Sequence, residues 1–243
     1  MILHIPHSST ELPKDFLVSN ETDLAQEFQR MTDWYTDELF DLPYATKIVF
    51  PLSRLYCDVE RFRDDALESM AKKGMGVCYE TNSFGKKLRD VSEEEKEHIK
   101  SKFYDKHHSL FTDAVNQELE KNGKAIIIDC HSFSNEPLPH EENLARPDFC
   151  IGTDAFHTPK NIVESIKGFL EKLGYSVAIN EPFAGTIVPL EHYGKNKNVN
   201  SIMIEINRNL YLDKKYQKNQ QFEGIQTMIQ TMLNFIKESY EQV

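Results

Sequence analysis

The chain is predicted to form a single α/β domain spanning residues 1–243, built on a mixed, largely parallel β-sheet flanked by helices. Two patterns predict this. Short runs rich in Ile and Val recur along the sequence, and stretches with helical spacing of apolar residues separate them. A third observation sets the domain count. No repeat, low-complexity tract or Pro/Gly/Ser linker divides the 243 residues, a length that one α/β core commonly reaches.

The expected strands are ILHI (2–5), ATKIVF (45–50), AIIIDC (125–130), DFCIG (148–152), SVAIN (176–180) and SIMIEIN (201–207), all short, apolar and β-branched. After the second run, Ser92 and Glu95 form a capping box. The helix it opens carries Ile99, Phe103, Leu110, Phe111, Ala114 and Leu119 inward and stops near Gly123. Thr158 and Pro159 open another helix, with Ile162, Ile166, Phe169 and Leu173 inward and Gly174 at its end. Phe222, Ile225, Ile229, Met232 and Ile236 repeat the pattern near the carboxy terminus. In such folds ligand chemistry sits beyond the carboxyl ends of the strands.

Composition narrows the function classes. The net charge of −11 and a pI near 5.3 argue against a phosphate-binding face, since nucleic-acid affinity needs dense Lys and Arg. The amino terminus MILHIPHSS has neither a basic nor a long apolar signal region, and no apolar run approaches the length of a membrane span. A cytoplasmic protein with no membrane partner is therefore expected. Four cysteines without CxxC spacing suggest reduced, mostly buried thiols. There is no GxSxG elbow or Walker loop, and Gly74 and Gly76 lack the third glycine of a dinucleotide fingerprint.

Chemistry-bearing residues stand at strand ends. His7 follows the first strand. His131 follows IIIDC, where alternation puts Ile127, Asp129 and His131 on one face and Cys130 on the other, so Cys130 and His131 cannot pair as nucleophile and base. Asp129 is either an orienting partner of His131 or a helix-capping carboxylate. In SIMIEIN the isoleucines share one face, leaving Glu205 on the other with Met203 and Asn207. A carboxyl buried there rises in pKa and suits a general base, unless it simply pairs with Arg208. Asp33 is either the N-cap of a helix starting at Trp34 or the oxygen donor that would complete a two-histidine zinc site. Arg54 and Arg61 bracket Asp58 and, with Arg208, are candidate forks for a substrate carboxylate. His107 and His108 lie in the long helix, facing either core or site.

Taken together, IPHSS, MTDW, SRLYCDVER, GVCYETNSFG, IIDCHSFS, PDFCIGT, NEPFAG followed by HYG, and IEINRNLY resemble the N-formylglutamate amidohydrolase family, in order, from His7 to Tyr211. That family in turn resembles the zinc carboxypeptidases, which implies a phosphorylase/zinc-exopeptidase-like fold. The resemblance implies a Zn2+ ion held by His7, Asp33 and His131, with Glu205 as general base and Arg54, Arg61, Arg208, His192 and Tyr193 around the substrate. The carboxypeptidase ligand pattern His-x-x-Glu is not kept, because Thr10 stands three residues after His7 and Glu11 one further. Asp33 is therefore preferred to Glu11 as middle ligand. Glu60 stands where the family more often has Asn, and Thr186 where a second Gly is usual, two changes that bear on the substrate pocket. The implied reaction is hydrolysis of N-formyl-L-glutamate to formate and glutamate, a step of histidine degradation. The alternatives are a related zinc amidase or peptidase acting on another N-acyl amino acid or acidic peptide, and a non-catalytic member that binds a small carboxylate.

Overall fold

The structure, a computed structural model, describes residues 1–139 and 143–241. In chain order the elements are β1 (Ile2–Ile5), α1 (Leu24–Met31), α2 (Thr36–Leu39), β2 (Thr46–Val49), α3 (Glu93–Ile99), α4 (Asp105–Asn122), β3 (Ala125–Phe133), β4 (Phe149–Gly152), α5 (Lys160–Lys172), β5 (Val177–Ile179), β6 (Val199–Asn207) and α6 (Phe222–Glu241). The six strands form one sheet in the order β2-β1-β3-β6-β4-β5. All neighbours are parallel except β4 and β6, which run antiparallel. This is an α/β fold with a mixed, mostly parallel sheet flanked by helices, as the alternation of strand and helix patterns predicts.

The two faces of the sheet are covered by different helices. On one, Leu3, Ile5, Ile126, Ile128, Ile202, Ile204 and Ile206 pack with Ile162, Ile166 and Leu170 of α5 and Ile225, Ile229, Met232 and Ile236 of α6. On the other, Ile2, Ile127 and Val199 meet Phe111, Ala114 and Val115 of α4. Burial on both faces explains why β3 is buried at all nine positions. The polar side chains of β3, and those of β6 from Ser201 onward, are therefore buried.

The long helical stretch from Glu93 to Asn122 is not one regular helix. Ser92 caps α3 through the Glu95 N–H, as expected, and Gly123 at φ +71° ends α4. A π-helical turn over Lys100–Tyr104 separates the two. That wider turn shifts the phase by roughly one residue, so Phe111 faces the sheet and Leu110, expected inward, is exposed. Leu173, also expected inward, caps the end of α5 and is exposed.

Between β2 and α3 the chain makes a long excursion, with two apolar clusters of its own: one around Phe50, Cys57, Val59 and Val77, the other around Leu55, Tyr79 and Leu88. The excursion carries Arg54, Asp58, Glu60 and Arg61 to the carboxyl end of the sheet. Gly152, the last residue of β4, permits another close approach. A Cβ there would lie 2.2 Å from the Gly185 carbonyl oxygen and 2.4 Å from Met203 Cε. A side chain at 152 would push the 182–188 loop away from β6. Among the described residues, no helix is long and apolar enough to cross a membrane.

Candidate active site

Three neighbouring parallel strands bring the first groups together. His7 lies two residues past β1, His131 lies on β3, and Glu205 on β6 is the direct cross-strand partner of His131. The His7 and His131 rings are 5.3 Å apart, centroid to centroid. A cavity of about 360 Å³ opens over them, lined also by Asp33, Glu60, Phe183 and the arginines 30, 54, 61 and 208.

Each imidazole is oriented by a carboxylate on its far nitrogen. His7 Nε2 donates to Asp58 Oδ1 at 2.9 Å, and His131 Nδ1 donates to Asp33 Oδ2 at 3.0 Å. Both carboxylates stay ionised. Burial opposes ionisation of Asp58, but Arg54, His7 and Arg61 hold it well below the usual carboxylate range. Burial likewise opposes ionisation of Asp33, which His131, His7 and Arg208 lower. Ionised carboxylates only accept hydrogen bonds, so the opposite nitrogens, His7 Nδ1 and His131 Nε2, are those left to face the cavity.

Both nitrogens face Glu60. Its Oε2 is 3.6 Å from His7 Nδ1, and its Oε1 is 3.1 Å from His131 Nε2. His7, Glu60 and His131 thereby offer three donor atoms within 4.8 Å of one another, and His7 Nδ1 is buried with no hydrogen-bond partner. Two histidine nitrogens and a carboxylate oxygen form a typical donor set for an open catalytic zinc site. The residues present thus fit a divalent cation.

The carboxylate in this set is Glu60; the resemblance implied Asp33, whose Oδ2 lies 3.0 Å from His131 Nδ1 and 3.7 Å from His7 Nδ1. Asp33 also accepts from Arg208 Nη2 at 2.9 Å, so it does not stand free at the cavity wall. Nor does Asp33 cap a helix by its side chain. Its carbonyl accepts from Thr36, and the helix begins there. Glu11 is exposed and lines neither cavity of this region. Nothing in the spacing of Glu60 signals its role, because the loop path that delivers it is a tertiary feature.

Glu205 is buried, lines the cavity, and has Oε2 without a hydrogen-bond partner. Burial pushes its pKa up to about 8, with Asp33 and Glu60 adding to the rise and His131 and Arg208 opposing it. No hydrogen bond joins it to Arg208. That arginine is consumed elsewhere, donating to Asp33, Ser132 Oγ, the Ser132 carbonyl and the carbonyls of Gln29 and Arg30. Arg208 is therefore a clamp joining α1, Asp33 and β3, although its side chain reaches the cavity wall.

Arg54 and Arg61 both line the cavity while holding Asp58, at 2.8 Å and 3.4 Å. Arg30, absent from the sequence-based set, lies over the Phe84 ring at 4.2 Å and completes the cationic wall. His192 is not part of this site. Its Nε2 meets Asn116 Oδ1 at 2.8 Å, and it lines neither cavity. Tyr193 is half exposed at the rim of a second cavity beside the first.

A buried polar chain reaches His131 at the same nitrogen as Glu60. Asp129 Oδ1 is 3.1 Å from His131 Nε2 and 2.9 Å from His4 Nδ1, and its Oδ2 accepts the Ile187 N–H. His4 Nε2 in turn meets His107 Nε2 at 3.0 Å. Burial and the neighbouring His4 push the pKa of His107 down to about 2, so it is neutral. Asp129 thus stands beside Glu60 at His131 Nε2 and caps no helix. His4, Glu60 and Asp129 also converge as donors around His4 Nδ1, whose ring meets His107 on its other nitrogen. His107 faces this chain, and His108 meets the Val59 carbonyl at 2.7 Å.

The N-formylglutamate amidohydrolase family model matches residues 1–212. No curated protein matches the sequence. Among solved structures, N-formylglutamate amidohydrolase from Ralstonia eutropha JMP134 is similar over 100% of this chain and 94% of its own, at 21% identity and TM-score 0.82. A gene product of Agrobacterium tumefaciens is similar over 97% and 91%, at 18% identity and TM-score 0.64. At these identities the structural likeness concerns the fold.

Proposed function

The chain belongs to the N-formylglutamate amidohydrolase family and is a hydrolase; from that premise we propose that it cleaves the amide bond of N-acyl-L-glutamates, N-formyl-L-glutamate among them, with a divalent cation, Zn2+ by preference, held by His7, Glu60 and His131. The observation that carries this reading is the convergence of His7 Nδ1 and His131 Nε2 on the Glu60 carboxylate, each imidazole fixed from behind by an aspartate. A cation bound there supplies Lewis acidity, polarising a carbonyl and acidifying water.

The chain's own residues account for the rest. Glu205 takes the proton of the attacking water and returns it to the leaving nitrogen, a task suited to a carboxyl whose pKa lies close to neutrality. Arg30, Arg54 and Arg61 face the anionic end of the substrate and form charge-assisted bonds to its carboxylates. Asp33 and Asp58 keep the imidazoles in one tautomer and orientation. The four buried, unpaired cysteines support a reducing compartment, the cytoplasm, as the place of action.

The test measures metal content and product release together. Purified protein is expected to retain about one equivalent of metal and to release formate and glutamate from N-formyl-L-glutamate. Glu60→Gln is expected to lose metal and to reduce kcat/KM at least ~10²-fold. Metal retention and turnover undiminished in Glu60→Gln, with both lost in Asp33→Asn, would restore Asp33 as the ligand.

A further inference from the structure

The second cavity adjoins the first and has a different character. It measures about 380 Å³ and shares Glu60, Arg61, Ala184 and Met203 with the arginine-lined cavity. Asp129 and Glu60 close its inner end. Its outer walls are Val59, Phe62, Ile187, Val188, Leu190 and Tyr193. Phe62 (50%), Leu190 (63%) and Tyr193 (48%) are exposed at the rim, where an unliganded surface more often carries polar groups.

An amide aligned on the His7–Glu60–His131 set has two ends. The amino-acid end carries carboxylates and belongs with Arg30, Arg54 and Arg61 in the first cavity. The acyl end must then leave past Glu60, Ala184 and Met203, which places it in the second. A formyl group has only hydrogen there and fills none of about 380 Å³. Ligand cavities of this size ordinarily match an apolar ligand part of several heavy atoms.

We propose that this groove is an acyl subsite, and that the enzyme acts on N-acylglutamates whose acyl group is an apolar chain or ring larger than formyl. The inference rests on the amidase reading above and adds the substrate class. Cleavage is ordinary hydrolysis: water adds to the acyl carbonyl, the C–N bond breaks, and the nitrogen takes a proton, giving a carboxylic acid and glutamate. The Gly185–Val188 segment and Leu190 make one wall, and Val59 and Phe62 the other, so the chain lies between two loops.

The test compares N-formyl-, N-acetyl-, N-butanoyl-, N-hexanoyl- and N-benzoyl-L-glutamate with the metal-loaded enzyme, reading glutamate release in every case. Full burial of a methylene contributes roughly fourfold. A groove open on one side is expected to give about twofold per methylene, hence about a sixteenfold rise in kcat/KM over the four methylenes from acetyl to hexanoyl. Leu190→Asp and Phe62→Ala, both at exposed positions that folding does not depend on, are expected to lower the hexanoyl-to-acetyl ratio about threefold or more. A series in which formyl is best and longer chains fall away overturns the acyl subsite and leaves the amidase reading standing. Release from no member overturns both. A ratio unmoved by either variant also overturns the assignment of these walls.

Discussion

At the residue scale the site depends on where protons and lone pairs are fixed. Glu205 is the clearest case, a buried carboxyl opposite His131 with one oxygen unpartnered. Its folded pKa of about 8 lies above the ordinary 4.5. Linkage then requires that its stability contribution be full below pH 4.5 and be lost as pH rises toward 8. In metal-free protein, Glu205→Gln is therefore expected to raise the Tm above pH 8 by about 3 °C or more, the gain shrinking to near zero at acid pH. Thermal melts of both proteins across that range check it, and a pH-independent difference would contradict it. Activity of the loaded variant should fall by about 10²-fold or more, because the proton shuttle is gone. Much of this residue-level picture was legible in the sequence. The alternation of SIMIEIN isolated Glu205, and the ends of β1 and β3 isolated His7 and His131. Glu60 was not legible as a candidate ligand, because no periodicity constrains a loop residue; its partners lie 53 and 71 positions away along the chain.

Elements set the spacing between those residues. Parallel registry of β1, β3 and β6 puts His131 opposite Glu205 and Asp129 opposite both His4 and Met203, so a one-residue slip would turn every one of them into the opposite core. The Ile-rich strand patterns announced this sheet, including the short edge strand β5. They carried no sign that β4 reverses direction, since burial on both faces removes the alternation from which orientation is argued. The π turn before α4 was equally hidden, as it depends on how Tyr104 and Phe111 meet the excursion and the sheet. Gly152 marks where β4, Met203 and the 182–188 loop press together. Gly152→Ala forces the new Cβ against the Gly185 carbonyl, and is expected to cost about 1–3 kcal/mol of stability. It should also displace Ala184, a wall of both cavities, and so change kcat/KM more than Tm alone explains. Denaturant titration with kinetics on the folded variant measures the two effects separately.

For the molecule as a whole, a net charge of −11 surrounds a cavity lined by four arginines. The overall acidity rules out polyanions as partners by bulk attraction, while the local field still favours a small dicarboxylate. At the same end of the sheet, Asp33, Asp58, Glu60, Asp129 and Glu205 crowd around two imidazoles contributed by β1 and β3, and Glu60 comes from the 50–92 excursion. A dication held as proposed would relieve that repulsion and tie the excursion to the sheet. Chelation is accordingly expected to lower the Tm by about 5 °C or more, with recovery on adding Zn2+, which calorimetry of chelated and reloaded protein checks. An unchanged Tm would mean that the cation is not a structural tie. The hydrogen-bond ladder pins His131 and Glu205 in place and ends two residues short of His7, whereas the loops that bear Phe62 and Leu190 belong to no ladder. His131 and Glu205 are thus fixed by strands, whereas Glu60 and Phe62 stand two residues apart on one loop, so a change that recuts the acyl wall there also shifts the carboxylate offered to the cation.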